Sequence, residues 1–383
     1  MRRKNPENVK KKEPRKVYIL AGGGTAGHIN PALAVAEAMK RKSPDAEILF
    51  FTTSDGIEDS MVREAGYPAL RVFAGSLPTR LYQWPAFIAV TVAGVIRAMI
   101  HLKKHRPKAV LGTGGYVITP LAIAAHILRV PLYLHEQNAI PGRANRLFSS
   151  LSSGIFLTFS ESQDYFPPSK IAFYLSGNPI SLRFRETDQQ RSRQKLGLPE
   201  DETLVLILGG SLGSKAINQA VQAFPETPGW EKLKKEIPDL HIVLSGGRVN
   251  KRFIDREGSQ LDSIDIYEYI DTAEWMPAAD LLVGRSGAGF LMETAACGKP
   301  SLLIPFPAAR DDHQRLNAEV FEASGAARIL PEEEMNPERL IEEISELISD
   351  RGLCEAMGKA ASRLARPEAA DMIAEELLKD RRK

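Results

Sequence analysis

Short apolar runs alternate with longer segments of helical periodicity along both halves of the chain. The runs of the first half are VYILAGGG (17–24), AEILFF (46–51), AVLGT (109–113) and PLYLHE (131–136). Those of the second half are TLVLILGGS (203–211), HIVLSGG (241–247), DLLVG (280–284) and PSLLIPF (300–306). Apolar runs of this length, separated by helical segments of about ten to fifteen residues, are typical of parallel strands joined by crossover helices. The pattern therefore predicts an α/β protein.

The same plan occurs twice, because each half opens with a strand that runs directly into glycines and a helix. This repetition predicts two Rossmann-like, doubly wound domains, and 383 residues agree with two domains of about 150 residues or more. We place the first domain at 16–178 and the second at 179–362, joined near Gly177-Asn178-Pro179. The segment 363–383 is predicted to be a closing helix that crosses back to the first domain, and 1–15 a basic, disordered tail.

Cysteine and charge content narrow the class of protein. Cys297 and Cys354 are the only cysteines, which excludes a disulfide framework and suits a reducing compartment. The seven histidines are scattered, so we expect no metal site. Residues 1–16 carry a net charge of +6 and leave −4 on the rest. Such a start is not a signal peptide; it is either a solvated tail or a segment attracted to an anionic membrane or to nucleic acid.

The most membrane-like stretch lies between Trp84 and Leu102. Its uncharged part ends at Ile96, which is short of the roughly 20 residues that cross a bilayer, so we expect no membrane span. Two explanations remain open. The stretch is a buried or half-buried helix of the first domain, or it is an interfacial helix whose aromatic end enters lipid while flanking cations such as Arg80 contact headgroups.

The first glycine turn, Gly22 to Gly27, matches G-x-G-x-x-G between a strand and a helix. Its glycines let backbone N–H groups approach phosphate oxygens at a positively polarised helix N-terminus. A nicotinamide or flavin dinucleotide also requires an acid at the end of the next strand. That strand ends at Thr52 and Thr53, and the first acid is Asp55, so the turn indicates a phosphate but disfavours a redox dinucleotide.

Two further turns extend the phosphate-binding pattern. The turn 112–116 follows another strand of the first half, and two such turns at one sheet edge would hold both phosphates of a pyrophosphate; a purely structural role explains either turn alone. The turn 209–215 resembles a Walker loop but has the wrong spacing between its glycines and Ser214-Lys215, which disfavours an ATPase. It still allows a diphosphate to bind backbone N–H groups and the Ser211 hydroxyl.

The second half also has a Gly/Ser turn at 285–289, and Glu293 lies about two turns into the helix that follows. A carboxylate there would accept hydrogen bonds from ribose hydroxyls, although a solvated helix face is the simpler explanation. The polar run 311–318 comes after Pro305 and Pro307 and suggests recognition of sugar hydroxyls.

His28 directly follows the first glycine turn and is our candidate general base. A helix N-terminus lowers the pKa of a histidine, which would keep the imidazole neutral for proton abstraction. The alternative is that His28 only binds the acceptor phosphate. The polar run 135–138 ends a strand at the edge where open α/β sheets place their ligands, or ties the cleft together.

These motifs together resemble one enzyme family. GGGTAGHINP, LGTGGYVITP, LHEQNAIPGRAN, SGNP, LGGSLGS, GRSGAGFLMETAACGKP and DDHQRLNA stand in the order found in the MurG family. These transferases add N-acetylglucosamine to undecaprenyl-pyrophosphoryl-N-acetylmuramoyl-pentapeptide, making lipid II from lipid I. The resemblance implies a GT-B fold, with two domains facing across a cleft, and metal-independent transfer with inversion and without a cofactor.

The resemblance also assigns residues to ligands. Donor UDP-GlcNAc residues are Thr25, Ala26, Gly27, Asn138, Arg183, Ser211, Ile270, Ala288, Gly289, Phe290, Leu291, Met292, Glu293 and Gln314. Acceptor pyrophosphate residues are Gly24, Thr25, Gly27, Gly114, Gly115, Tyr116 and Glu136. The membrane face comprises Leu81, Trp84 and Phe87.

The implied location is the cytoplasmic face of an anionic membrane, with other cell-wall synthesis proteins as further partners and no nucleic acid. Three features depart from the family: Ala26 replaces a glycine, Arg183 is the nearest arginine to one expected near Ser181, and the basic tail is unusual. Alternatives are another GT-B enzyme, such as a glycolipid synthase or a UDP-GlcNAc 2-epimerase, and a non-catalytic nucleotide-sugar-binding subunit.

Overall fold

The computed structural model describes residues 16–53, 57–78, 80–168, 170–210, 212–247 and 263–379. The predicted tail and Ser211 lie outside the described residues.

The first domain is built on seven strands with helices between them. The strands are β1 (Val17–Ala21), β2 (Glu47–Thr52), β3 (Ala69–Arg71), β4 (Ala109–Gly112), β5 (Leu132–Glu136), β6 (Gly154–Leu157) and β7 (Phe173–Leu175). The helices are α1 (Ala26–Lys42), α2 (Ile57–Glu64), α3 (Trp84–His105), α4 (Ile118–Leu128) and α5 (Arg143–Phe148). All strand pairs are parallel, in the order β3-β2-β1-β4-β5-β6-β7.

In its described residues the second domain has six strands, again all parallel. The helices that precede its sheet are α6 (Arg183–Glu186) and α7 (Gln189–Leu196). The strands are β8 (Thr203–Leu208), β9 (Leu240–Ser245), β10 (Ile264–Tyr267), β11 (Leu281–Gly284), β12 (Ser301–Leu303) and β13 (Ala327–Ile329). The remaining helices are α8 (Lys215–Gln222), α9 (Pro228–Glu236), α10 (Thr272–Ala278), α11 (Ala288–Cys297), α12 (His313–Ala323), α13 (Pro337–Ser349), α14 (Arg351–Leu364) and α15 (Ala369–Leu378). The strand order is β10-β9-β8-β11-β12-β13.

The strand order reverses direction at one point in each sheet, and there the glycine turns lie side by side. In the first sheet Ala21 at the end of β1 pairs with Gly112 at the end of β4. In the second, Leu208 at the end of β8 pairs with Gly284 at the end of β11. Because a doubly wound sheet opens a crevice at this switch point, each domain presents two adjacent turns there. The predicted fold class is confirmed.

The last helix packs against the first domain rather than the second. Ile373 and Leu377 of α15 are buried in the same core cluster as α1 and one face of the first sheet. Arg41 of α1 pairs with Asp371 of α15 at 3.0 Å. The chain therefore passes between the domains twice, once near Gly177 and once before α15.

Helix α3 differs from the expectation of a buried or half-buried helix. Of its residues only Gly94, Ala98 and Leu102 are buried, and an apolar face is left exposed. The helix also continues through Arg97, whose side chain is exposed to solvent. Among the described residues, the helical segment Leu81–His105 is long and apolar enough to cross a membrane by length and composition alone, contrary to the expectation from its uncharged run.

Candidate active site

The two glycine turns of the first domain pack backbone against backbone. The Gly23 N–H donates to the Gly114 carbonyl at 3.3 Å. A Cβ on Gly115, whose φ is +81°, would lie 1.9 Å from the Gly23 carbonyl oxygen, so only glycine fits there. Gly24 and Thr25 remain exposed at the start of α1, where the helix N-terminus attracts anions.

His28 is half-buried in the first turn of α1. Its Nδ1 lies 3.2 Å from Gln137 Oε1, and its carbonyl accepts a hydrogen bond of 2.6 Å from the Thr113 hydroxyl. Burial is the main cause that lowers the pKa of His28 from its ordinary value. Hydrogen bonds with Gln137 and Thr113 oppose that decrease. His313 and Arg310 of the second domain lower it further. The imidazole is therefore neutral near pH 7.

Glu136 organises the loop that follows β5. Its buried carboxylate accepts hydrogen bonds from the backbone N–H groups of Asn138 and Gly142, both at 2.9 Å. It also accepts one of 2.8 Å from the Asn145 side chain. Burial raises the pKa of Glu136, and these donors oppose that rise. The carboxylate therefore holds the loop, and its contact with an acceptor pyrophosphate stays a prediction.

Asn317 of α12 connects the two domains across the cleft. Its fully buried side chain accepts a hydrogen bond of 2.8 Å from the Ala139 N–H and donates one of 3.1 Å to Asn138 Oδ1. Near by, Arg143 of the first domain pairs with Asp311 of the second at 3.2 Å. Asn138, a predicted donor-sugar residue, thus lies at the junction of the domains.

The turn that leads into α11 has empty space beside its glycines. A Cβ placed on Gly287 or Gly289 would meet no atom within 4 Å, so a ligand has access to the backbone at this helix N-terminus. Beneath the turn, buried Arg285 donates to Ser214 Oγ at 2.6 Å and to the Ile304 carbonyl at 3.0 Å, and pairs with Glu332. Arg285 thereby joins the turn after β8 to the turn after β11.

Glu293 is half-buried on α11, and burial raises the pKa of its carboxyl group to about 8. A carboxyl group held in poor contact with water gains from donors such as hydroxyl groups. The contact of Glu293 with ribose hydroxyls stays a prediction.

Comparison with known proteins identifies the family. A model of the glycosyltransferase family 28 N-terminal domain matches residues 18–157, and one of its C-terminal domain matches 204–373. A relative from Acetivibrio thermocellus is 36% identical over 370 residues, covering 94% of this chain and 97% of the relative. It is named UDP-N-acetylglucosamine--N-acetylmuramyl-(pentapeptide) pyrophosphoryl-undecaprenol N-acetylglucosamine transferase.

This chain belongs to the MurG family of glycosyltransferases. The crystal structure of Acinetobacter baumannii MurG superposes with a TM-score of 0.72 at 26% identity, covering 96% of this chain and all of that one. UDP-GlcNAc 2-epimerase from Neisseria meningitidis has a TM-score of 0.66 at 18% identity, with 95% of this chain and all of that one covered, and shares the fold alone. The resemblance seen in the motifs is confirmed, and so is assignment to the glycosyltransferases.

Within this MurG-family fold, the predicted donor residues differ in how much of the side chain is accessible to a ligand. Leu291 and Met292 have side chains packed in the core, so they offer only backbone to a ligand. Ile270 is likewise buried. The Gln314 side chain accepts a hydrogen bond from the Phe306 N–H at 3.0 Å and lies beside the Ser286 turn, whose hydroxyl donates to the Gln314 carbonyl.

Arg183 pairs with two carboxylates that follow Ile270 in the chain. Its guanidinium pairs with Asp271 at 2.8 Å and with Glu274 at 3.0 Å. Both carboxylates belong to the start of α10 or its cap. The side chain is therefore engaged near the predicted uracil residue, and its use in place of an arginine near Ser181 stays a prediction.

Gln137, Arg285 and Asn317 lie inside runs that the sequence places at the site, but none of the three was predicted to have a role of its own. Each stands inside a motif of the MurG family, so the motif itself was the available signal. Their importance comes from partners between 24 and 178 positions away in the chain, which local pattern does not show.

We expect Gly115→Ala to separate the two turns of the first domain, because its Cβ would collide with the Gly23 carbonyl. A displacement of about 1 Å in a binding loop would lower the rate of glycosyl transfer by about 10²-fold. The matched control is Gly66→Ala, where φ is +80° but no atom lies within 4 Å. Steady-state kinetics on both variants measures the difference; equal rates would contradict the packing argument.

We expect the stability of the protein to fall as the pH rises from about 4.5 to about 8, since the Glu293 carboxyl is protonated in the folded state over that range and ionised in the unfolded state. Glu293→Gln should flatten this dependence. Urea denaturation at several pH values measures it, with the exposed Glu334→Gln as control. A slope shared by Glu293→Gln and the parent chain would refute the assignment.

Proposed function

We propose that this chain transfers N-acetylglucosamine from UDP-GlcNAc to undecaprenyl-pyrophosphoryl-N-acetylmuramoyl-pentapeptide. The observation that carries the proposal is the match, over 94% of the chain, to a relative named for this reaction. The two pairs of glycine turns support it, because the reaction brings together two diphosphates, one on each substrate.

Each domain then takes one substrate. The turns after β1 and β4 bind the pyrophosphate of the lipid, with Gly24 and Thr25 exposed beside the N-terminus of α1. The open turn at Gly287–Gly289 and the N-terminus of α11 bind the diphosphate of UDP and stabilise it as it leaves. Glu293 accepts hydrogen bonds from the ribose hydroxyls.

His28 acts as the general base. Its neutral imidazole takes the proton from the attacking hydroxyl of the muramoyl sugar, whose oxygen forms the new bond to the anomeric carbon. The bond from that carbon to the UDP oxygen breaks on the opposite face, so the configuration inverts. Backbone N–H groups and the helix dipole supply the positive charge that the leaving UDP requires, and we propose no metal ion for this step.

One assay tests the reaction and its alternatives. The chain is mixed with labelled UDP-GlcNAc and lipid-linked muramoyl-pentapeptide, with and without EDTA. We expect label in the lipid and no effect of EDTA. Isomerised free UDP-sugar would indicate an epimerase, and donor binding without turnover would indicate a non-catalytic binding subunit. Loss of transfer on EDTA treatment would contradict the metal-independent mechanism.

His28→Ala should leave UDP-GlcNAc binding largely intact, because the turns proposed to bind the diphosphate of UDP lie on the other domain. Transfer should fall by at least about 10²-fold, the low end of general acid–base catalysis. Calorimetry for binding and single-turnover kinetics for transfer make the comparison. Near-normal turnover would remove His28 from the role of base.

We propose that the exposed apolar face of α3 holds the enzyme on the cytoplasmic surface of an anionic membrane. Leu81 is 88% exposed and Trp84 40%, and the apolar stripe continues at four-residue intervals through Ile88, Val92, Ile96 and Ile100, all exposed. Lys103, Lys104 and Arg106 follow at its end. The opposite side of α3 packs on the domain, which favours a helix that lies on the membrane over one that spans it.

Leu81→Ser should weaken binding to phosphatidylglycerol vesicles by about tenfold, which corresponds to losing about half of the roughly 1.5–3 kcal/mol of a fully buried leucine side chain. Leu147→Ser changes an equally apolar residue, 69% exposed, that lies on α5 and off the stripe, and it should bind as the parent does. Vesicle co-sedimentation measures both, and a similar loss for the two variants would argue against α3 as the membrane face.

A further inference from the structure

Behind His28, a line of hydrogen-bonded side chains runs through the interior of the first domain. His28 Nδ1 lies 3.2 Å from Gln137 Oε1. The Gln137 Nε2 group contacts His135 Nδ1 at 2.9 Å and also the Thr113 carbonyl oxygen. His135 Nε2 lies 3.0 Å from the Gly177 carbonyl. Gln137 is 3% exposed and His135 is fully buried, so water does not compete for these contacts.

The two carbonyl groups fix the direction of every hydrogen bond in this line. The Thr113 carbonyl oxygen only accepts, so the Gln137 atom facing it is the amide nitrogen. The Gly177 carbonyl likewise only accepts, so His135 Nε2 carries a proton and its Nδ1 accepts from Gln137. Burial lowers the pKa of His135 to about 4, which agrees with a neutral ring. The Gln137 oxygen is therefore the atom left to face His28.

An amide oxygen accepts a hydrogen bond but does not donate one. His28 Nδ1 must therefore carry the proton in its contact with Gln137, and in the neutral ring the lone pair is then on Nε2. In water the opposite tautomer, with hydrogen on Nε2, predominates for a free imidazole. Nε2 is the other ring nitrogen, so the contact of Nδ1 with Gln137 leaves it to a substrate.

We propose that Gln137 is a positioning residue that holds neutral His28 in the Nδ1–H tautomer, so that Nε2 presents its lone pair to the acceptor hydroxyl. This inference rests on the proposed function, in which His28 is the base. When the hydroxyl proton moves to Nε2, its O–H bond breaks, an N–H bond forms, and the resulting imidazolium keeps its Nδ1–H bond to Gln137. An amide suits this position because it orients the ring without adding a negative charge that would raise the pKa of His28.

The tautomer is measured directly by NMR of the full-length protein labelled with ¹⁵N-histidine, using His28→Ala to assign the signals. At a pH where His28 is neutral, we expect its Nδ1 to be protonated and Nε2 to be unprotonated. In Gln137→Met, which matches the side chain in length and removes the acceptor, the Nε2–H tautomer should predominate. A wild-type His28 with hydrogen on Nε2 overturns the proposal whether or not Gln137→Met folds.

Kinetics tests the consequence. Gln137→Met should lower kcat by about tenfold or more while the KM for UDP-GlcNAc stays within about twofold, because the Gln137 side chain bonds to His28, Thr113 and His135, none of them a predicted donor residue. Gln163→Met, an exposed glutamine of the first domain, is the matched control and should keep the parent's kcat. Unchanged kcat in Gln137→Met overturns the proposal.

A second variant separates positioning from structure. Gln137→Glu retains an acceptor for His28 Nδ1 but adds a charge, so it should restore part of kcat while the acid limb of the pH profile moves to higher pH. The groups that face His28, namely His135, His313 and Arg310, are unchanged in this comparison. An unshifted profile counts against the proposal. If His28→Ala is inactive and the wild-type His28 ring carries its hydrogen on Nε2, the role of Gln137 is refuted but the assignment of His28 as base stands. If His28→Ala is active, both are refuted.

Discussion

The contact between the turns after β1 and β4 is the constraint on which the rest of the first-domain site depends. Gly115 and Gly23 approach so closely that no side chain fits between them, and the hydroxyl of Thr113, two residues earlier, donates to the His28 carbonyl. This packing brings the start of α1 against the loop after β4. The switch point of the sheet makes the contact possible, since it places the ends of β1 and β4 next to each other.

Polar groups buried below these turns give the site its rigidity. Glu136 is surrounded by donors from its own loop, and Gln137 is held between the Thr113 carbonyl and two imidazoles. Buried polar groups are stabilising only when their partners are complete, and such networks therefore specify one arrangement. The line of side chains ends at Gly177, where the chain leaves the first domain, so the loop after β5 and the connection between domains share one set of hydrogen bonds.

The second domain repeats the plan with a different means of support. There the buried side chain of Arg285 spans from Ser214 to the Ile304 carbonyl and steadies the two adjacent turns. Asn317 carries the connection across the cleft to Ala139, and α15 returns to pack on α1. A two-domain transferase needs its substrates brought together and water kept out, and these contacts join the halves on both sides of the cleft.

Local pattern was enough to establish the two parallel sheets, the glycine turns and the family, because strand periodicity and contiguous motifs are written in neighbouring residues. Tertiary structure alone decided which of those side chains are accessible and which are buried or paired. The side chains of Leu291 and Met292 pack in the core, and Arg183 pairs with Asp271 at the start of α10. An apolar face of α3 is exposed. The atom that Gln137 offers to His28 likewise depends on the Thr113 carbonyl, which the turn after β4 supplies. Burial and hydrogen-bond direction arise from residues far apart in the chain, and so no local pattern contains them.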